Sequence, residues 1–351
     1  MRHMMTLGIC TAATVAGAAM VLASDTQNEV VAQGYTVQSI TAPHRDAPIE
    51  VHVWYPTDIT AAPETFAENA LFDGFEAQLD APALSGEHPV AIFSHGSGGK
   101  AVQTGWFASA MAAQGTIVVS TNHQGTMSRD SDPHQTPMLW QRTRDLTAAL
   151  DALETGALGD LSADMDRVAA VGFSLGGAAA LSLGGAALSK DAFIRYCAQP
   201  MEKPDCDWMN AASVDFDAID ATLYEADWTD PRIDAVLAID PALTQAMTAD
   251  GLAAMDLPVM TIGLGTADTI PFAVDASHLG TKLPDAAHVW IPEAAHFSFL
   301  PTCGIIGKAA TALMGDDNIC SDWGLRHRDV IHGEVLDAAG QFLADVFAED
   351  A

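Results

Sequence analysis

The sequence predicts an α/β fold: a mostly parallel sheet with helices on both faces. Three observations carry that prediction. Short apolar runs rich in β-branched residues recur at 89–94, 116–120, 168–173, 233–239, 259–264 and 288–291. Helical patterns fall between them; over 139–153 the apolar positions 139, 146, 149, 150 and 153 share one face. Strands that alternate with helices pair in parallel and are covered on both sides. The chain has 351 residues, 49% of them hydrophobic, ample for one large core or a core plus a cap.

The elements follow in order. Arg2 and His3 make a short basic start, and residues 5–22 are apolar and uncharged. Val21, Leu22 and Ala23 then place small residues where a signal peptidase reads. A signal peptide is therefore expected over 1–23 and one folded domain, with an embedded insertion, over 24–351. The apolar stretch is barely long enough for an anchor, and Ile9 is too large for a lipoprotein box ahead of Cys10. Residues 35–40 and 49–55 alternate apolar and polar, which predicts two antiparallel opening strands, with Pro43 and residues 46–48 as the turn. Residues 58–87, rich in Pro, Ala and acids, read as irregular. Helices are expected over 102–114, 139–153, 176–187 and 330–347. Residues 189–229 break the rhythm, with two cysteines, two tryptophans and many acids. They read as a cap inserted over the carboxyl edge of the sheet.

Charge and cysteines bound the setting. The 46 acidic against 15 basic side chains give a net charge of −31, a surface that repels nucleic acid and anionic lipid. After the leader and its Cys10, four cysteines remain: Cys197, Cys206, Cys303 and Cys320. An even number in an exported chain implies two disulfides, and local pairing is the simplest of three arrangements. None has the spacing of a zinc or redox site, so no metal is expected. Periplasmic or secreted localisation follows, with no stable membrane insertion once the leader is cleaved.

The chemistry centres on Gly172-Phe173-Ser174-Leu175-Gly176. A strand precedes it and a run of small residues typical of a tightly packed helix follows. A serine on such a turn stands exposed at the end of the sheet, and the flanking glycines have no side chain to clash there. Its hydroxyl needs a base, and the base needs an orienting carboxylate. In sheet-based hydrolases these follow in the order serine, acid, histidine. His296, on the loop after the last strand, is the expected base. Asp268, after the strand at 259–264, is the favoured acid; Asp240, after the strand at 233–239, is the alternative. The backbone N–H groups of Ser97 and Leu175 are the expected oxyanion donors. The former lies in the glycine-rich run His95-Gly96-Ser97-Gly98-Gly99, whose spacing to Lys100 is wrong for a phosphate loop. His123 and Phe173 are candidates for lining the substrate pocket.

Phe93 to Gly99, Gly172 to Gly177, Ala267-Asp268-Thr269-Ile270-Pro271 and Ala295-His296-Phe297-Ser298-Phe299 together resemble the α/β-hydrolase superfamily. Within it the chain resembles the bacterial dienelactone-hydrolase-like group related to platelet-activating-factor acetylhydrolases. The resemblance implies an α/β-hydrolase fold and a serine esterase without cofactor. Dienelactone hydrolases carry a cysteine nucleophile where this chain has Ser174, so lactone cleavage is not implied. The acetylhydrolases take their acid from the strand before Asp240. The cutinase-like polyesterases take theirs from a segment like 265–271. The acid therefore stays open, with the Ala-Asp-Thr-Ile-Pro match favouring Asp268.

The function expected is hydrolysis of small or short-acyl carboxylic esters through an acyl-enzyme, with a small-molecule ester as partner. A polyester or phospholipid acyl hydrolase, or a peptidase, would use the same machinery. A non-catalytic binding protein on this fold would not need a complete serine, histidine and acid set.

Overall fold

A computed structural model of the chain describes residues 32–200, 203–283, 286–314, 319–322 and 326–349. The leader expected over 1–23 lies outside the described residues. Strands β1 (Ala32–Ile40) and β2 (Ile49–Thr57) form the antiparallel pair that their alternation predicts. Within 58–87, read as irregular, two short strands form: β3 (Glu64–Phe66) and β4 (Phe75–Leu79). They are too brief to show a period. Phe66 and Phe75 fix them by packing on the Tyr35 ring, at 4.8 and 5.2 Å.

The chain then winds through β5 (His88–Ser94), α1 (Gly105–Ala113), β6 (Ile117–Thr121), the two-residue hairpin strands β7 (Thr126–Met127) and β8 (Asp130–Ser131), α2 (Leu139–Glu154), β9 (Ala163–Phe173) and α3 (Leu175–Leu183). Helix α3 stops short of the expected 187 because Gly184 and Gly185 follow it. Gly185 has φ of 111°, and the Ala186 N–H turns back to Leu181 O at 2.9 Å. Next come α4 (Lys190–Cys197), α5 (Pro204–Ala211), α6 (Ala221–Tyr224), β10 (Ala235–Ile239), α7 (Ala249–Ala253), β11 (Val259–Leu264), β12 (Ala286–Ile291), α8 (Ile305–Met314) and α9 (Arg328–Glu349).

Ten strands make one sheet in the order β12-β11-β10-β9-β5-β6-β2-β1-β4-β3. From β6 to β12 every pairing is parallel. The carboxyl ends of β5, β9 and β10 therefore emerge side by side. Alternation within β9 divides the core. Val168 and Ala170 face α2 and α3, while Ala169 and Val171 face α1 and α9. Each fully buried Val or Leu in these layers contributes about 1.5–3 kcal/mol.

The described part of 189–229 carries the short helices α4, α5 and α6 and packs on the α2 side. Phe193, Tyr196, Met209 and Tyr224 join the core cluster beneath α2 and α3. The Tyr224 ring meets Trp140 edge-on at 6.5 Å. Ser189 caps α4 by accepting the Ala192 N–H. Cys197 is bonded to Cys206, which ties α4 to α5, and Cys303 to Cys320, with Cα atoms 5.5 and 5.7 Å apart. Among the described residues no helix is long and apolar enough to cross a membrane.

Candidate active site

Ser174 sits between the last residue of β9 and the first of α3, with φ of 56° and ψ of −122°. A non-glycine residue held there stores about 1–3 kcal/mol of strain. Three hydrogen bonds hold it. Its N–H donates to Ile239 O at 2.9 Å, and its carbonyl accepts from Ala242 N–H at 3.0 Å and Ala178 N–H at 3.2 Å. Both glycines of the pattern are required by backbone crowding. A Cβ on Gly172 would lie 2.1 Å from Gly176 O, and one on Gly176 would lie 1.9 Å from Ser94 O. The turn thus presses α3 against the end of β5 and leaves the hydroxyl free on the other side.

His296 opens a short turn after β12. That turn is held from several directions. Ala295 N–H donates to Ser298 Oγ at 3.0 Å, and Trp106 Nε1 donates to Phe299 O at 3.0 Å. His332, stacked on Trp106 at 3.6 Å, donates to Ser298 O at 2.9 Å. So placed, His296 Nε2 lies 3.1 Å from Ser174 Oγ, and its Nδ1 lies 2.9 Å from Asp240 Oδ2. Asp240 is fully buried, and its other oxygen accepts the Leu264 N–H at 2.8 Å. Burial pushes the Asp240 carboxyl above its ordinary value, against the pull of the His296 hydrogen bond. An imidazole between a buried carboxylate and a hydroxyl can take the hydroxyl's proton as that oxygen attacks, and later return it.

The imidazole contact favoured for Asp268 is thus made by Asp240. Strand β10 is the direct neighbour of β9, and Asp240 follows Ile239 at once. Its φ of 42° bends the chain at that point. Strand β11 lies one position further out, and Asp268 follows it only after a turn closed by Thr269 N–H to Thr266 O at 2.9 Å. Asp268 is exposed on that turn.

A cleft of about 390 Å³ opens over Ser174 and His296. Phe72, Phe173, Phe297, Phe299 and Leu300 give it apolar walls, and Lys100, Gln103 and Ser128 add polar groups. Phe173 lies in this wall, stacked on His296 at 4.7 Å. Ser97 borders the cleft. Leu175 is the first residue of α3, so its N–H has no partner within the helix. No described residue of 189–229 lines the cleft; the described part of the segment packs on the α2 face. The reason is its aromatic residues, which find apolar partners on α2. Among the described residues no group of three or more His, Cys, Asp or Glu is placed to hold a metal ion.

His123 does not line the cleft either. It is completely buried, with Nδ1 donating to Asp145 Oδ2 at 2.9 Å and Nε2 accepting from Ser94 Oγ at 2.9 Å. Around it lies a charged network absent from the sequence reading: Asp145 also accepts from His44 at 2.8 Å and from both Nε and NH2 of Arg45, at 2.8 and 2.6 Å. Burial alone would raise Asp145, but these hydrogen bonds, from His123, His44 and Arg45, hold it well below the usual carboxylate range. The signal was present in α2, where Arg142 and Asp145 fall on or beside the apolar stripe of 139, 146, 149, 150 and 153. Charged groups on a buried face must be paired.

Burial, with Arg142 close by, pushes His123 down to about 4; burial, with Arg328 close by, does the same to His332. Both gain a proton on unfolding at any pH between that value and the ordinary 6.5. Their contribution is therefore full above 6.5 and is lost as the pH falls toward 4. The loss is on the order of 1.4 kcal/mol per histidine for each pH unit in that window. The thermal midpoint followed by circular dichroism should drop steadily as the pH is lowered through it. A flat midpoint across the window contradicts neutral burial of these rings.

No protein-family model matches the chain, and no curated protein does. Solved structures do resemble it. A ferulic acid esterase from Streptomyces cinnamoneus aligns over 77% of this chain and 76% of that one, at 18% identity and a TM-score of 0.54. The chain has an α/β-hydrolase fold. Two peptidases align more loosely. A puromycin-hydrolyzing peptidase of Mycobacterium tuberculosis gives a TM-score of 0.45 at 14% identity, over 74% of this chain and 35% of that one. The acylaminoacyl peptidase of Pyrococcus horikoshii gives 0.42 at 11% identity, over 75% and 38%. The α/β-hydrolase fold puts loops at the carboxyl ends of its strands, and those loops carry Ser174, Asp240 and His296 here.

Proposed function

We propose that this chain is a serine hydrolase of carboxylic esters, working through an acyl-enzyme. The fold leaves the chemistry to the site, and one observation carries the reading: the unbroken hydrogen-bonded line from Ser174 Oγ through His296 to Asp240. Ser174 Oγ attacks the ester carbonyl as its proton passes to His296 Nε2. Asp240 holds the ring by Nδ1 and stabilises the imidazolium. The N–H groups of Ser97 and Leu175 take the developing oxyanion. His296 then protonates the alcohol as it leaves, and water, deprotonated by the same imidazole, frees the acid. The disulfides Cys197–Cys206 and Cys303–Cys320 fit an enzyme that works outside the cytoplasm.

A cleft of about 390 Å³ suits a small ester. A series of p-nitrophenyl esters of increasing acyl length should give its highest kcat/KM among the short chains. The matching p-nitroanilides should turn over far more slowly. A second reading, a hydrolase of long-chain or polymeric esters, draws on the apolar wall and on a cleft that no described residue of 189–229 lines. It predicts the reverse order in the same series and release of soluble acid from a polyester film. No turnover of any ester removes both readings.

A further inference from the structure

We infer that Arg142 is a positioning residue that aims the Ser97 N–H at the reaction's oxyanion. The inference rests on the serine-hydrolase reading and adds to it a part that lies beneath the site. Arg142 is 2% exposed, although it carries a full positive charge on a helix that packs against the sheet. All three guanidinium nitrogens are spent on the end of β5, the loop that follows it, and β7. NH1 donates to His95 O at 2.5 Å and to Ser94 Oγ at 3.2 Å. NH2 reaches Gly96 O at 3.4 Å and Thr126 O at 3.3 Å, and Nε donates to Thr126 Oγ1 at 3.1 Å.

Gly96 O has further donors. His95 Nδ1 lies 2.7 Å from it and Gly99 N–H 3.1 Å. His95 is itself 2% exposed. The carbonyl of Gly96 is therefore drawn toward the protein interior. In a trans peptide the carbonyl and the next N–H point in opposite directions, and the described chain has no cis peptide bond. The Ser97 N–H must then face away from the guanidinium, toward the side on which Ser97 and Ser174 line the cleft. The loop is also close enough for the task. A Cβ added to Gly96 would lie 3.2 Å from Ser174 Cβ.

Thr126 extends the clamp. Its carbonyl accepts the Gly98 N–H at 2.9 Å, so the hairpin strand β7 holds the far side of the same loop. Burial and nearby Arg45 weigh against the Arg142 charge, and Asp145, one turn along α2, offsets part of that cost. A planar fork can hold two successive carbonyls at once, which a lysine ammonium cannot do with the same rigidity.

The test compares parent, Arg142→Lys and Arg142→Met, each checked for folding by circular dichroism. Two quantities are read: kcat and KM on p-nitrophenyl acetate, and the Ki of an alkyl trifluoromethyl ketone. That ketone forms a hemiketal with Ser174, its oxygen sitting where the oxyanion sits. Loss of an oxyanion donor costs about 10²–10³-fold in kcat. Arg142→Met should approach the lower figure with KM within about threefold, and Arg142→Lys should recover part of the loss. The Ki should rise in the same proportion as kcat falls. A merely structural role would not tie those two quantities together. Folded variants whose kcat and Ki stay near the parent's overturn the inference. If neither variant folds, Ser94→Ala decides, because it removes one anchor of the fork and little volume. A fall in kcat matched by a rise in Ki supports the clamp, and no change overturns it. A parent without esterase activity, and without labelling of Ser174, is a different result: it overturns the hydrolase reading itself.

Discussion

Replacing Ser174 by alanine should abolish ester turnover, with a fall in kcat of about 10⁶-fold if this serine acts as a triad nucleophile. The same variant should lose all labelling by a fluorophosphonate probe. The effect is large because each part of the relay works only with the others. Without the hydroxyl, His296 has nothing to deprotonate except water, and the donors at Ser97 and Leu175 have no tetrahedral adduct to hold. The backbone should tolerate the change. Ser174 is fixed by its own N–H and carbonyl, to Ile239, Ala242 and Ala178, and these contacts do not involve the hydroxyl. Alanine at φ of 56° carries the same kind of strain as serine. A folded Ser174→Ala protein that still turns over p-nitrophenyl acetate, or is still labelled, removes this serine as nucleophile.

The second large effect discriminates two carboxylates. Asp240→Asn should lower kcat on the order of 10⁴-fold, the loss seen when the orienting acid of a triad becomes an amide. An amide at this position can donate its own N–H to the imidazole and so favour the wrong tautomer. Asp240 is the residue to test because it is fully buried, bonded to His296 Nδ1 at 2.9 Å, and locked by the Leu264 N–H on its other oxygen. Asp268→Asn should leave kcat within about threefold, since surface substitutions away from such contacts change little. The two variants measured side by side give a clear reversal if the roles are exchanged: an inactive Asp268→Asn beside an active Asp240→Asn. That pattern would require the loop after β11 to move inward when substrate binds.

How much of the site was legible depended on range along the chain. The serine turn was readable because its causes are local. A strand, two glycines and a helix lie within a few residues of Ser174, and the crowding that demands Gly172 and Gly176 involves the turn itself and the end of β5. His296 was readable because a loop after the last strand must reach the carboxyl edge of a parallel sheet. The two opening strands were readable from alternation, whereas β3 and β4 were not, being held by aromatic contacts to a strand far off in sequence.

The sequence by itself determined the layered sheet, the strand, turn and helix around Ser174, the candidate acids and histidine that follow it along the chain, and the four cysteines available for pairing. Only the tertiary structure decided which aspartate meets the imidazole, that the described residues of 189–229 pack on α2 and line no part of the cleft, and that His123 belongs to a buried ion network. The physical reason is the same in each case. Asp240 and Asp268 both follow strands of the sheet, and the local sequence around 267–271 favours Asp268. What separates them is that β10 lies beside β9 while β11 lies one place beyond, a fact of strand order rather than of strand composition. Likewise, a charge within an apolar helical stripe announces that a partner exists. Its identity, here the backbone of a loop some 46 residues away, is set by packing.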